Sequence, residues 1–83
     1  MEQANEPLRR LREHLGITLA AFGQSTGIVP THVSSYERGG KPIGFGVARR
    51  ILDAYRREMA ECNVELEDLQ RGTFSRPKQR GAR

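Results

Sequence analysis

The sequence is short of the residues on which several classes of protein depend. Cys62 is the one cysteine among 83 residues, so no disulfide can form within the chain, and a reducing compartment is expected. The chain also has only two histidines, and they form no Cys/His cluster at metal-ligand spacing with Cys62. We therefore expect neither a metal nor a cofactor. Hydrophobic residues make up 36% of the chain, and no apolar run approaches the roughly 20 residues of a membrane span. The first residues do not form a signal-peptide pattern, so we expect a cytoplasmic protein without membrane contact.

Residues for catalysis are also missing. His14, His32, Cys62 and the carboxylates show no nucleophile–base spacing, and no glycine-rich phosphate loop is present. A chain of this length forms one domain with a modest core, which leaves little room for a ligand cavity of about 300–1,000 Å³. We therefore predict that the protein is not an enzyme and has no catalytic residues.

Charge is unevenly placed along the chain. The net charge is +4 and the pI about 10.0. An acidic segment at 61–69 is followed by a basic one; the residues concerned are Glu61, Glu65, Glu67 and Asp68, then Arg71, Arg76, Lys78, Arg80 and Arg83. We predict a frayed N-terminus at 1–5, a folded domain at 6–70 and a basic disordered tail at 71–83. The tail either neutralises phosphates without sequence preference or serves only solubility.

The central segment, from Thr18 to Gly39, has the start and stop signals of two short helices joined by a tight turn. Thr18 is a good N-cap, because its hydroxyl can accept a backbone N–H of the first helical turn. Gly27 and Gly39 stand where a chain can leave a helix through the left-handed conformation. We predict helices at about 19–26 and 30–38, which form a helix-turn-helix.

Apolar residues at helical spacing predict the rest of an all-α bundle of four to five short helices. A first helix is expected from an N-cap at Glu6, with a leucine stripe facing the core. A long fourth helix is expected from about Phe45 to Glu61, with Phe45 on its apolar stripe, and Asn63 in the left-handed position after it. A last short helix is expected within 64–69, where Val64, Leu66 and Leu69 either cap the core or supply a dimer seam. His14 is expected to be a solvated surface residue, with no partner that places it in a site.

This central segment resembles the Xre/Cro-like helix-turn-helix family, which includes phage repressors and small bacterial regulators. The agreement covers Gly16, Ile17, Thr18, Phe22, Gly27, Ile28, Val33, Ser34, Tyr36, Glu37 and Gly39. The resemblance implies a lambda-repressor-like fold and a transcription regulator, more often a repressor, that binds operator DNA as a homodimer. It also implies a bacterial or phage origin and a place in the cytoplasm with the nucleoid.

Three residues depart from the family pattern. Leu19 replaces a glutamine that often touches a phosphate or base in relatives. Gly23 replaces a small alanine, which we expect to be sterically mild. Val29 replaces the usual Ser/Thr cap of the second helix of the motif, so we expect that cap to be weak.

The resemblance implies the residues that meet DNA. Base contacts fall at Pro30, Thr31, His32, Ser34 and Ser35, and phosphate contacts at Thr18, Leu19, Arg38 and Lys41. None of the base-contact residues is a bidentate Arg–guanine or Gln–adenine reader, so we expect soft direct readout with a larger share from DNA shape. Arg49 and Arg50 are further phosphate candidates, whereas Arg9 and Arg10 are expected to be solvated. Arg12 and Glu37 are expected to form a structural ion pair.

A protein-binding module of the antitoxin or antiactivator type is the alternative. It is favoured by the weak base readers, by the apolar Leu19 and by the acidic segment at 61–69, which could bind a basic partner.

Overall fold

The computed structural model describes residues 4–74. Over this range the chain folds into five α-helices without a strand, which confirms the predicted all-α bundle. The helices are α1 (Glu6–Leu15), α2 (Leu19–Thr26), α3 (Pro30–Arg38), α4 (Phe45–Glu61) and α5 (Leu66–Arg71). The predicted ends of α2 and α3 are met, and these two helices form the helix-turn-helix.

The first two helices begin at side-chain caps. The predicted cap at Glu6 was wrong by one residue, because Asn5 holds that position and its Oδ1 accepts the Leu8 N–H at 3.0 Å. Thr18 Oγ1 accepts the Ala21 N–H at 3.1 Å. The N-cap of α3 is Val29, whose side chain cannot accept a hydrogen bond, so this cap is as weak as predicted.

Asn5 also ties the start of α1 to two distant parts of the chain. Its backbone N–H donates to the carbonyl of Glu37, and its Nδ2 donates to the carbonyl of Leu69 at 3.0 Å. Asn5 is buried, so the expected frayed segment does not extend to this residue. Residues 1–3 lie outside the described part of the chain.

The core is formed by apolar side chains of all five helices and of the segments that join α2 to α3, α3 to α4 and α4 to α5. Its members are Leu8, Leu11, Phe22, Ile28, Val33, Tyr36, Ile43, Ala48, Ile51, Met59, Val64 and Leu69. Phe45, although it is on the apolar stripe of the sequence, lies outside this core, because it is the first residue of α4 and 59% of it is exposed. The packing buries one face of α3 and leaves the opposite face in solvent.

Gly23 is far more constrained than the sequence suggested. A Cβ at this position would lie 2.4 Å from the carbonyl oxygen of Ile28, which is a backbone atom and cannot move aside alone. The Gly23 carbonyl accepts the N–H groups of both Gly27 and Ile28. Because the tight turn between α2 and α3 closes directly over Gly23, an alanine at this position would clash. Glycine is therefore required here, which goes beyond the sterically mild replacement that we expected.

α5 starts later and ends later than predicted. The chain remains folded past the expected boundary at residue 70, because α5 runs to Arg71 and Phe74 packs partly against the core. The Arg10 guanidinium lies 4.4 Å from the centre of the Phe74 ring, so Arg10 is not simply solvated as expected. Residues 75–83, which hold most of the expected tail, lie outside the described range.

Candidate nucleic-acid interface

The two faces of α3 differ sharply. Val33 and Tyr36 are buried and fix the helix to the core. Pro30, Thr31 and His32, in its first turn, are exposed. Three of the five residues expected to contact bases therefore lie together at the solvent-facing end of α3.

The two serines expected to contact bases are less accessible. Both Ser34 and Ser35 are half-buried. Ser34 Oγ accepts a hydrogen bond from Arg38 Nη1 at 2.8 Å, so its hydroxyl already has a partner within the helix. The carbonyl of Ser35 accepts the N–H of Gly40, which closes the C-terminal end of α3.

The first turn of α2 presents backbone rather than side chain to an anion. The first hydrogen bond along the helix runs from the Phe22 N–H to the Thr18 carbonyl. The N–H groups of Leu19 and Ala20 therefore have no carbonyl partner within α2. The Leu19 side chain is half-buried and packs against the core. Of the two expected phosphate residues here, Thr18 is occupied as a cap and Leu19 has only its N–H to offer.

No Asp, Glu, Lys or Arg occurs between residues 17 and 36, a feature that the sequence reasoning did not use. We call the exposed part of residues 17–36 the uncharged surface. Three exposed cationic residues lie at its edges: Arg38, Lys41 and Arg50. Arg38 contacts Ser34, Lys41 Nζ lies 5.7 Å from the centre of the Tyr36 ring, and Arg50 Nη1 donates to the Gly27 carbonyl at 3.2 Å. Arg50 thereby joins α4 to the turn of the helix-turn-helix, whereas Arg49 is paired with Asp53.

An ion pair braces α3 from behind. Arg12 Nε and Nη2 donate to the two carboxylate oxygens of Glu37 at 2.8 and 3.1 Å, and Arg12 Nη1 donates to the Ile17 carbonyl. Both side chains are largely buried, and the hydrogen bond to Glu37 raises the pKa of Arg12 above its ordinary value. A forked pair of this kind fixes orientation as well as distance, so it holds α3 against α1.

A shallow apolar depression lies between α2 and the start of α3. Its lining residues are Ala20, Gly23, Gln24, Gly27, Ile28, Val29 and Pro30. Val29 is 55% exposed, one of two large hydrophobic residues with that much exposure in the described chain, the other being Phe45. Residues for an apolar contact are therefore present on the same surface as Thr31.

Histidine and acidic residues outside this surface have structural partners. His14 Nε2 lies 2.8 Å from Glu61 Oε1, so this expected surface residue contacts a carboxylate rather than solvent alone. Asp68 is buried and forms a capping box with Glu65 at the start of α5. Between residues 4 and 74, no group of His, Cys, Asp and Glu could hold a metal, and no helix is long and apolar enough to cross a membrane.

The comparisons with known proteins agree with this geometry. A family model described as a helix-turn-helix domain matches residues 6–63, which span α1 to α4 and most of the chain. No curated protein and no solved structure matches the chain significantly. Domains of this kind are typically not enzymes, and they indicate a DNA-binding regulator in general terms. The match agrees with the Xre/Cro-like resemblance of the sequence, and the chain belongs to the helix-turn-helix domain family.

Proposed function

We propose that the protein is a sequence-specific transcriptional regulator, of the repressor type, that inserts α3 into the major groove of double-stranded DNA. The observation that carries this proposal is the exposed first turn of α3, at Pro30 to His32, on a helix whose other face is buried and braced by Arg12 and Glu37. An α-helix fits the major groove, where each base pair presents a distinct set of donors and acceptors.

Reading of the bases would fall mainly to Thr31 and His32, with Ser35 one turn further along. A hydroxyl pairs with several bases, and an imidazole nitrogen can pair with a purine edge, so discrimination per contact is modest. Specificity then depends also on how easily the DNA adopts the bound shape.

Phosphate contacts would come from two sides of the uncharged surface. The N–H groups at the start of α2 point toward one strand, where the helix dipole favours an anion. Arg38 and Lys41 would meet the other strand beyond the end of α3. Because no carboxylate lies between residues 17 and 36, phosphates can approach the first turns of both helices without repulsion from this segment.

The regulator would act as a homodimer in the cytoplasm, where its DNA lies. One helix-turn-helix offers limited contact area, and a two-fold partner would place a second α3 about one helical turn away on the duplex. Operator binding by such a dimer is the arrangement that suits a repressor.

The protein-binding alternative draws less support from the structure than from the sequence. Leu19, the apolar residue in question, packs partly against the core, and Asp68 of the acidic segment is buried. Glu61 is engaged by His14. The surface available to a basic partner at 61–69 is correspondingly reduced.

Selection from a random pool of DNA duplexes, followed by a gel-shift titration, tests the proposal. The full chain is expected to enrich one site and to prefer it over a scrambled duplex. The variant Thr31→Ala/Ser35→Ala should lose that preference at an unchanged melting temperature. Failure to enrich any site, with an intact fold and a co-purifying protein, would favour the protein-binding alternative.

The salt dependence of binding tests the phosphate contacts separately. Arg38→Gln and Lys41→Gln should each weaken binding to all duplexes and reduce the slope of log affinity against log salt by about 1. Arg9→Gln removes the same charge from α1, away from the proposed interface, and should leave the slope unchanged. Equal slopes for all three variants would contradict these two assignments.

A further inference from the structure

Val29 combines two properties that conflict with ordinary folding requirements. It holds the N-cap position of α3, where Ser, Thr, Asp or Asn would stabilise the helix and where a valine provides no hydrogen bond. It is also 55% exposed, so it contributes little to the core. The side chain therefore serves neither the helix terminus nor the packing of the domain.

The surroundings of Val29 are apolar and uncharged. Pro30 follows it, and the side chain of Ala20 lines the same depression from α2. Gly23 also lines the depression, and a Cβ on it would lie 3.2 Å from Cγ of the Pro30 ring. Gln24 contributes the one polar side chain of the lining.

This depression lies at the end of α3 that carries Thr31 and His32, next to the first turn of α2. Carboxylates are absent from both helices up to Tyr36, and cationic side chains flank the surface at Arg38 and Arg50. A polyanion is therefore the partner that the charge distribution fits. The apolar group that such a partner presents to a protein in the major groove is the C5-methyl of thymine.

We propose that Val29, with Pro30 beside it, contacts the C5-methyl group of a thymine in each half-site and is a specificity-determining residue of this protein. The inference rests on the proposed DNA-binding function and deepens it. Thymine is selected over cytosine at that position because only thymine has a methyl group that can pack into the apolar depression. The depression also has no carboxylate to accept a hydrogen bond from the N4 amino group of cytosine. The contact supplies discrimination that the short polar side chains of α3 do not.

Replacement of thymine by deoxyuridine tests the contact, because it removes the methyl group and leaves the base pair intact. The probe is the duplex enriched from the random pool, with each thymine replaced in turn, and the readout is the dissociation constant of the full chain. One position in each half-site is expected to lose about fourfold in affinity, the equivalent of one buried methyl group. If the enriched duplex shows no such position, or holds no thymine within the protected half-site, the inference is overturned while the proposed function stands.

Variants at residue 29 separate the direct contact from a change in DNA shape. In Val29→Ser the deoxyuridine penalty should disappear, and in Val29→Ile it should persist. Phe45→Ser is the matched control: Phe45 is equally exposed but does not line the depression, so its replacement should leave the penalty unchanged. A penalty that persists in Val29→Ser overturns the inference. If no duplex is enriched at all, the proposed function and the inference fail together.

Discussion

The front and the back of α3 are held by different kinds of interaction. At the back, Glu37 accepts a forked pair of hydrogen bonds from Arg12, and its carbonyl accepts the N–H of the buried Asn5. At the front, Pro30, Thr31 and His32 are exposed, and the helix begins at a valine without a side-chain cap. Strong directional contacts are concentrated on one side of the helix and missing from its leading turn.

This difference indicates where the chain tolerates change. Groups at the back are buried with their partners, so removal of one leaves another unsatisfied. Exposed side chains at the front that do not cap a helix can be exchanged with little effect on folding, generally within about 0.5 kcal/mol. The exposed residues that would contact a partner can thus change while the position of α3 in the domain stays fixed.

The largest effect should come from Asn5→Ala. It removes a helix cap and leaves the carbonyl of Leu69 without its donor, so we expect a loss of about 2–4 kcal/mol in unfolding free energy. Thr18→Ala removes a cap of the same kind from an exposed position at the start of α2 and should cost about 1 kcal/mol. Urea unfolding measures both. Equal losses would show that the two caps do not differ as the contacts suggest.

Removal of the ion pair should have the next largest effect. Arg12→Met should cost about 1.5–3 kcal/mol, because it removes hydrogen bonds between charged, largely buried groups. The raised pKa of Arg12 means that the stability it provides is fully present below its ordinary pKa and is lost only as the pH rises through the higher folded value. The loss in Arg12→Met should therefore be the same at pH 7 and pH 9.

Arg9→Met is the matched control for the ion pair. Arg9 lies on the same helix, half-exposed and 3.7–3.9 Å from two acidic partners, and an exposed pair of this kind contributes less than about 1 kcal/mol. A loss in Arg9→Met as large as that in Arg12→Met would contradict the assignment of the brace.

Gly23→Ala tests the tight turn between α2 and α3. Alanine favours a helix over glycine, but its Cβ would meet the Ile28 carbonyl, so we expect a net destabilisation of about 1–3 kcal/mol. Gly46→Ala makes the same change in α4, where the new Cβ would have no atom within 4 Å apart from its neighbours and the local helix backbone, and should be neutral or stabilising by up to about 1 kcal/mol. Thermal melts that rank the two variants in the opposite order would show that the turn can relax.

The smallest effect on folding is expected at the front, at Val29, where the substitution should raise the free energy of unfolding rather than lower it. Val29→Ser should stabilise the domain by about 0.5–1 kcal/mol, because serine can cap α3. The same variant should bind its DNA site more weakly. A variant that is both more stable and equally tight in binding would remove the reason for a valine at this position.

The fold was largely predictable because its signals are local. The glycines that end α1, α2 and α3 adopt the left-handed conformation, and Asn63 does so after α4 with a φ of 59°. Apolar spacing then places Leu8, Leu11 and Val33 inside. Each of these features depends on a few neighbouring residues, which the sequence displays directly.

Features that depend on where the chain packs back against itself were missed. The role of Asn5 depends on Glu37 and Leu69, and the constraint on Gly23 depends on how closely the chain returns after the turn. Arg50 reaches the Gly27 carbonyl from another helix. Spacing along one helix contains no information about such approaches, whereas the pairing of Arg12 with Glu37 was expected only because the family resemblance implied it.

Chemical-shift mapping tests the central claim most directly. Amide resonances of the ¹⁵N-labelled full chain would be followed during titration with the enriched duplex. Perturbations are expected to concentrate in the first turns of α2 and α3, with little change at 61–69. Perturbations centred on 61–69, with the first turn of α3 unaffected, would contradict the account.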